Sequence, residues 1–353
     1  MTCRREWLAR GVGVGAALAL AWWWQAQTLQ VVGVVALARA LAWASALWLA
    51  PALPARRLQG PALARRAVLV TGCDSGFGHA AARRLHALGA RVFACVLLPH
   101  GPGADGLRAL ASPRMRVLPL DVTDAPSVAA AAHAVQQDLQ DSGCELQAVV
   151  NNAGILNVGE TEWMDIEELR KTIDVNTIGQ VRVAQAFLPL LRKSKGRVVN
   201  VNSVAGRIPC TGLAPYVISK YASVAFTECL KVDMTKFSVS VHSIEPAIYM
   251  TPMAEGSKFL LKKKFDAIPE KIMNDYGHRY IEKFMKVVEL VFLVFSKPPS
   301  KILEVVDAIE DAILSEDPQD CYYPGERSKL VITLKDEVKY VQGYLTKLIY
   351  NLW

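Results

Sequence analysis

The stretch Ala67-Val-Leu-Val-Thr-Gly-Cys-Asp-Ser-Gly-Phe-Gly78 decides the fold of this 353-residue chain. Its first four residues form an apolar run without polar alternation, which is typical of a buried parallel strand. Glycines at positions 72, 76 and 78 then allow a sharp turn, and a helical pattern continues through Leu88. Because such a turn lets backbone N–H groups of the following helix hold a pyrophosphate, the stretch predicts a dinucleotide-binding βα unit.

Alternating strand and helix patterns follow this unit along most of the chain. Five further apolar runs predict strands, at 91–97, 115–120, 147–151, 196–202 and 239–245. Helical patterns lie between them, near 80–88, 125–141, 165–192 and 215–236. This alternation predicts an α/β fold, a Rossmann-type doubly wound parallel sheet in a single catalytic domain, with ligands beyond the carboxyl ends of the strands.

The amino-terminal region has the composition of a membrane segment. Residues 7–53 are almost entirely Ala, Val, Leu, Trp and Gly, which is enough for two spans of about 20 residues. Residues 1–66 carry eight arginines and one acid, whereas the rest of the chain is neutral overall. Charge that flanks apolar runs predicts transmembrane segments, in the first instance a two-span hairpin that leaves the catalytic domain in the cytosol, and it argues against a nucleic-acid partner.

Alternatives to a two-span hairpin remain open. Arg39 lies within the second apolar segment, where a charge costs about 2.5–3.5 kcal/mol unless it reaches the interface or a partner. A single span would place the enzyme in a lumen, and a cleaved signal peptide or a mitochondrial presequence are further interpretations. We expect the endoplasmic reticulum membrane, with a mitochondrial membrane as the alternative.

These patterns divide the chain into three parts. Residues 1–66 are predicted to be a membrane anchor with a basic linker, and 67–325 the catalytic domain, whose substrate lid spans about 252–300. Residues 326–353 mix Lys with Leu, Val, Tyr and Trp, so this tail is expected either on a membrane surface or at a homodimer interface. The seven cysteines are scattered without a CxxC pair, which predicts reduced thiols, no disulfide frame and no metal site.

Together, five motifs in order resemble the short-chain dehydrogenase/reductase family over nearly all of 67–325. They are Thr71-Gly-x-x-x-Gly-x-Gly78, Asn151-Asn-Ala-Gly154, Asn176, Ser203 and Tyr216-x-x-x-Lys220. The Thr71–Gly78 variant is similar to the branch of retinol, hydroxysteroid and 3-hydroxybutyrate dehydrogenases. The segments that most resemble membrane-bound 11β- and 17β-hydroxysteroid dehydrogenases of type 2 are 101–104, 112–114, 190–196 and 322–325. Those that resemble the retinol and hydroxybutyrate enzymes are 159–162 and 219–222.

Four of these residues would carry the chemistry of alcohol oxidation. Tyr216 is the predicted base, and Lys220, one helical turn away on the same face, would lower the pKa of its phenol. The resemblance implies that Lys220 also holds the nicotinamide ribose and that Ser203 binds the substrate oxygen. It further implies that Asn176 holds a water that links Lys220 to solvent.

The residues also predict NAD as the cofactor. A 2′-phosphate would meet the like charge of Asp74 in the glycine loop, although Asp74 could instead cap the following helix. The resemblance places Asp121 at the adenine and Thr251 at the carboxamide. The predicted cofactor contacts are Gly72, Asp74, Ser75, Gly76, Phe77, Gly78, Asp121, Asn152, Ala153, Gly154, Tyr216, Lys220 and Thr251.

Two positions depart from the family pattern. Ala247 replaces the glycine that usually follows Pro246, and since alanine adopts positive φ less easily, a shifted loop beneath the nicotinamide is expected. Asn202 replaces the usual serine before Ser203, which we expect to be tolerated.

The sequence therefore predicts an NAD-dependent, membrane-anchored oxidoreductase that oxidises a hydroxyl of a small lipophilic substrate, a hydroxysteroid of the 11β or 17β type or retinol. Two alternatives stay open. A 3-hydroxybutyrate dehydrogenase would need a cation in the pocket, for which Arg207 and the lysines at 262–264 are candidates. A catalytically inactive, membrane-anchored binding or scaffold protein is the other.

Overall fold

The computed structural model describes residues 61–210 and 212–325, together with 328 and 332. Seven strands form one sheet: β1 Arg66–Val70, β2 Arg91–Val96, β3 Met115–Pro119, β4 Glu145–Asn151, β5 Arg197–Val201, β6 Ser240–Ile244 and β7 Cys321–Tyr322. The helices are α1 Pro61–Ala64, α2 Gly76–Ala87, α3 Pro102–Arg108, α4 Ala125–Ser142, α5 Ile166–Ile173, α6 Gly179–Ser194, α7 Ala214–Met234, α8 Pro252–Asp266, α9 Glu270–Tyr276, α10 His278–Phe295 and α11 Leu303–Leu314.

All strand pairs in the sheet are parallel, and the strand order is β3-β2-β1-β4-β5-β6-β7. Helices α2, α3 and α11 pack on one face, and α4, α6 and α7 pack on the other. The central strands are buried on both faces, which explains their continuous apolar runs. The predicted doubly wound parallel sheet is confirmed, and its strand order changes direction between β1 and β4, where ligands bind in such sheets.

The predicted strands and helices match the observed ones to within a few residues. Four elements outside the lid were not predicted, the helices α1, α3 and α11 and the strand β7. A two-residue strand is too short to show any periodicity, and α3 contains Gly103 and Gly106, which weaken its helical pattern.

The predicted lid consists of three helices, α8 to α10, inserted between β6 and α11. Its two ends are joined at the base, since Met250 N donates to Lys297 O at 2.9 Å and Lys297 N donates to Ile248 O at 2.9 Å. The lid is therefore an insertion of three helices whose two ends are hydrogen-bonded to each other.

The predicted anchor lies outside the described residues, apart from the few that begin at Pro61, and so does almost all of the tail. Across the part of the chain that the structure describes, no helix combines the length and apolarity needed to span a bilayer.

Candidate active site

The glycine loop is shaped by the backbone freedom of its glycines. Gly72 has φ +69° and Gly76 has φ +60°, a region that side-chain-bearing residues rarely adopt. At Gly78, an added Cβ would overlap the side chain of Asn152 and the carbonyl oxygen of Gly72. The loop therefore turns tightly above the end of β1 and presses against the segment that follows β4.

Asn152 and Thr71 fasten these two segments together. The Thr71 hydroxyl accepts hydrogen bonds from the backbone N–H groups of Asn152 at 2.9 Å and Ala153 at 3.0 Å. The Asn152 amide donates to the carbonyls of Thr71 at 2.9 Å and Gly72 at 3.1 Å. Asn152, a predicted cofactor contact, thus maintains the shape of the loop.

A cavity of about 780 Å³ opens above these segments. Five of the predicted cofactor contacts line it: Gly72, Asp74, Asp121, Ala153 and Gly154. Its volume lies within the range of about 300–1,000 Å³ that is usual for ligand sites. The position beyond the strand ends, the glycine loop and the volume together fit a dinucleotide.

Asp74 joins the glycine loop to the end of β2. One carboxylate oxygen accepts from Leu97 N at 2.9 Å and the other from Leu98 N at 2.8 Å. Helix α2 has Ser75 at its N-cap, so Asp74 does not cap that helix. The Asp74 carboxylate therefore lies at the end of β2, a place where β2 has no acidic residue of its own.

The other predicted contacts lie around the loop. Phe77 packs edge-on against Tyr249 with ring centroids 5.6 Å apart, which ties the glycine loop to the segment after β6. A Cβ on Gly76 would lie 3.8 Å from the Thr251 side chain, so Thr251 faces the loop across the cleft. Asp121 accepts from Thr123 N at 2.9 Å and closes a turn at the edge of the cavity.

The phenol of Tyr216 is buried near Ser203 and Lys220. Burial raises its pKa to about 12, an interaction with Ser203 partly lowers it, and the nearby Cys210 thiol raises it. Lys220 Nζ lies 5.7 Å from the ring centroid and donates to Val201 O at 3.0 Å. The net pKa of Tyr216 is therefore raised and not lowered as predicted, because burial dominates; burial also lowers the pKa of Lys220 to about 8.

Asn176 connects the catalytic helix to the cofactor cleft. It lies fully buried in a π-helical turn, Asp174–Ile178, between α5 and α6. Its side-chain oxygen accepts from Ile155 N at 2.8 Å, and its amide donates to Ile155 O at 2.9 Å and Ser219 Oγ at 2.9 Å. Ser219 stands between Tyr216 and Lys220 on α7, so Asn176 links that helix to the cavity wall beside Gly154.

An apolar cluster, here called the lid cluster, lies over the start of α7. Its buried members are Val158, Leu213, Ala254, Leu261, Phe284 and Val288. Phe284 packs so closely on Gly212 that a Cβ there would lie 2.6 Å from its ring. Cys210 and Val217, which lie before and directly after Tyr216 in the sequence, pack against the same cluster.

The cations considered for an anionic substrate are engaged or exposed. Arg207 pairs with Glu245 and Glu228, and Lys264 pairs with Glu168. Residues 262 and 263 are exposed on α8.

The two departures from the family pattern are accommodated. Ala247 does not belong to the residues with positive φ, so alanine fits the backbone at this position without strain. Asn202 donates to Thr227 Oγ1 at 3.1 Å and to Ser243 Oγ at 2.9 Å, which makes it part of a buried polar network.

Sequence reasoning missed two features of this site. Gly103 lies against Asp74, where a Cβ would overlap the Asp74 carbonyl oxygen. The available signal was the glycine-rich start of α3, which by itself indicates only a resemblance to hydroxysteroid dehydrogenases. The ion pair of Arg207 with the buried Glu245 was also missed, because 38 residues separate its partners.

Comparison with known proteins agrees with this geometry. A family model described as short chain dehydrogenase matches residues 66–258. The chain is 40% identical to human 17-beta-hydroxysteroid dehydrogenase type 2, over 76% of this chain and 70% of that protein. It is 36% identical to the mitochondrial D-beta-hydroxybutyrate dehydrogenase of Rattus norvegicus, over 75% and 78%. With human retinol dehydrogenase 5 it shares 34% identity, over 83% and 89%.

A solved short-chain dehydrogenase from Streptomyces avermitilis has the same architecture, with a TM-score of 0.61 and 26% identity over 80% of this chain and 95% of that one. Sequence motifs, sheet order and the cluster of Ser203, Tyr216 and Lys220 agree with these matches. The chain therefore belongs to the short-chain dehydrogenase family and is an oxidoreductase that acts on CH–OH groups.

Proposed function

We propose that this protein oxidises a hydroxyl of a lipophilic alcohol, a hydroxysteroid or a retinoid, to the carbonyl with NAD. The observation that carries the proposal is the position of the buried Tyr216 phenol, which interacts with Ser203 and has Lys220 Nζ 5.7 Å from its ring centroid, while the adjacent Val217 packs on the lid cluster. In this proposal, proton transfer takes place next to an apolar region of the lid that suits a lipophilic substrate.

In this proposal, each polar residue has a defined task. Tyr216 takes the proton of the alcohol, Ser203 holds the substrate oxygen, and the Lys220 ammonium stabilises the phenolate that begins to form. Asn176 orients the catalytic helix through Ser219. A bound nicotinamide dinucleotide supplies the hydride acceptor.

The surroundings of Tyr216 support an apolar substrate. The lid cluster contributes aliphatic and aromatic side chains, whereas Arg207 and Lys264 are paired with carboxylates. A small hydroxy acid would need an available cation to offset the burial of its carboxylate. The relatives named for steroid and retinol substrates support the same class, and the hydroxybutyrate relative supports the alternative.

The charge around the cavity supports NAD over NADP. Its lining contains the carboxylates of Asp74, Asp121, Glu167 and Asp174 and the cations of Arg170 and Lys171. A 2′-phosphate would add negative charge to a lining that is already net negative, and Asp74 stands at the end of β2, where the ribose lies in folds of this kind.

The test uses the full chain purified in detergent. NAD or NADP reduction is followed with a panel of hydroxysteroids, retinol and 3-hydroxybutyrate. Tyr216→Phe should reduce kcat at least about 10³-fold, because it removes the base while the ring keeps its packing. The matched control is Tyr221→Phe, on the exposed side of the same helix, which should retain activity.

The outcomes separate the alternatives. Turnover of 3-hydroxybutyrate alone would replace the lipophilic substrate by a hydroxy acid. Full activity in Tyr216→Phe would refute the proposed base, and a wild-type protein that is inactive with the whole panel would support a binding or scaffold role.

We also propose that the protein acts at the endoplasmic reticulum membrane as a homodimer. The apolar composition of residues 7–53 supports the anchor, and a membrane would supply the lipophilic substrate. Exposed Ile218, Tyr221 and Val232 on α7 support association of two copies through this helix. Carbonate extraction of microsomes and light scattering of a Val232→Glu variant test these two points.

A further inference from the structure

A buried ion pair stands beside the catalytic serine. The Glu245 side chain is fully buried, at the end of β6. Arg207 donates two parallel hydrogen bonds to it, from Nε to Oε2 at 3.0 Å and from Nη2 to Oε1 at 2.8 Å. The hydrogen bond to Glu245 raises the pKa of Arg207, so this cation stays charged throughout the working range of pH.

The pair closes a ring of hydrogen bonds around Ser203. Asn202, which directly precedes the serine, donates to Ser243 Oγ at 2.9 Å, and Ser243 donates to Glu245 Oε1 at 2.9 Å. Glu245 then accepts from Arg207, which follows the serine by four residues. Both ends of the Ser203 segment are therefore fixed to β6 through a single carboxylate.

Backbone contacts extend this arrangement in two directions. Val204 N donates to Pro246 O at 3.1 Å, where the segment leading to Thr251 begins. On the other side, a Cβ on Gly206 would lie 2.7 Å from the carbonyl oxygen of Lys220. The serine segment is thus held between the catalytic helix and the segment that faces the glycine loop.

We propose that the Arg207–Glu245 pair is a positioning element for hydride transfer, which sets Ser203 relative to Tyr216 and to the segment 246–251. The pair lies outside the substrate and cofactor surfaces described above and acts through the residues it holds. This inference rests on the proposed oxidation of an alcohol by Tyr216 and Ser203. It assigns Arg207 a role different from that of a cation for an anionic substrate.

The experiment compares Arg207→Lys with Arg91→Lys in the full chain. Lysine keeps the positive charge and loses the two parallel bonds. Arg91 is the matched control, because its Nε and Nη2 donate in the same way to the carboxylate of Asp138, at the opposite end of the sheet. Readouts are the single-turnover rate of NADH formation, the isotope effect with alcohol deuterated at the carbinol carbon, KM for both substrates, and the melting temperature.

We expect Arg207→Lys to slow single-turnover hydride transfer at least about tenfold, with KM values within about threefold and a larger isotope effect. Arg91→Lys should keep the wild-type rate and isotope effect even where its melting temperature falls equally. Glu245→Gln, which keeps the shape of the side chain, should reproduce the slow hydride transfer.

Two results overturn the inference, and they differ from failure of the proposed function. Equal rates and isotope effects in wild type and Arg207→Lys would show that the pair serves stability alone. If Arg207→Lys fails to fold, unchanged hydride transfer in Glu245→Gln leads to the same conclusion. A wild-type protein that is inactive with every alcohol refutes the proposed function itself, and the inference falls with it.

Discussion

Replacing Asp74 by asparagine should change which dinucleotide the protein uses. Each carboxylate oxygen of Asp74 accepts one backbone N–H, from Leu97 or from Leu98, and a carboxylate offers about four acceptor positions. Two acceptor positions therefore remain, and Asp74 lines the cavity. Asparagine keeps the shape, removes the charge and leaves a single acceptor oxygen.

The magnitude follows from two changes. A hydrogen bond to a charged acceptor contributes about 1.5–3 kcal/mol, so its loss should lower kcat/KM with NAD about 10- to 150-fold. Removing the negative charge relieves repulsion of a 2′-phosphate, which we take as about 1–2 kcal/mol because Asp74 is only half-buried. The ratio of kcat/KM for NAD to that for NADP should therefore fall at least about 10²-fold.

The assay measures initial rates with both dinucleotides and one alcohol, and Asp105→Asn on α3 serves as the control. A thermal melt checks that the loss of one backbone contact, worth about 1–3 kcal/mol, leaves the protein folded. A wild-type enzyme that uses NADP as well as NAD, or a variant with an unchanged ratio, would refute the role of Asp74.

Three further predictions concern the catalytic pair and the glycine loop. The pKa of Tyr216 is about 12 and that of Lys220 about 8, so kcat/KM for oxidation should rise about tenfold per pH unit from pH 6 to 8 and then become constant. A pH-independent kcat/KM would contradict catalysis by the phenol. Lys220→Met should abolish activity and raise the free energy of unfolding by about 2 kcal/mol at pH 7. Keeping the buried ammonium charged costs about 3 kcal/mol, and its bond to Val201 returns about 1. This gain should vanish towards pH 10.5 in urea titrations, because unfolded lysine loses its proton there. Gly103→Ala should raise KM for NAD about tenfold by displacing the Asp74 backbone, whereas Gly106→Ala, with ordinary contacts, should not.

The fold could be predicted because its signals are local. A buried parallel strand shows itself as an apolar run, and the turn after β1 needs glycine at positions that the sequence displays directly. The placement of Tyr216 and Lys220 on one face of α7 follows from helical spacing alone. These features depend on neighbours within a few residues.

The electrostatics of the site could not be predicted in the same way. The spacing of Tyr216 and Lys220 suggests a lowered phenol pKa, whereas burial raises it. The partner of Asp74 lies 23 residues away, at the end of another strand. Burial and long-range pairing depend on how distant segments meet, and a single sequence does not display that.

The two cations near Ser203, Arg207 and Lys220, show why the residue types differ. Arg207 has a carboxylate partner that raises its pKa, so it supplies a charge that does not titrate and a rigid two-bond geometry. Lys220 donates to a carbonyl and has its pKa lowered to about 8, so its charge responds to conditions near neutrality. Positioning requires a fixed charge, and proton transfer requires a titratable one beside the phenol. Exchanging the two residue types would remove the two-bond geometry from the ring around Ser203 and place a permanent cation next to Tyr216. The ring around Ser203 would then fail because its geometry is lost, and the position next to Tyr216 would fail because it can no longer exchange a proton.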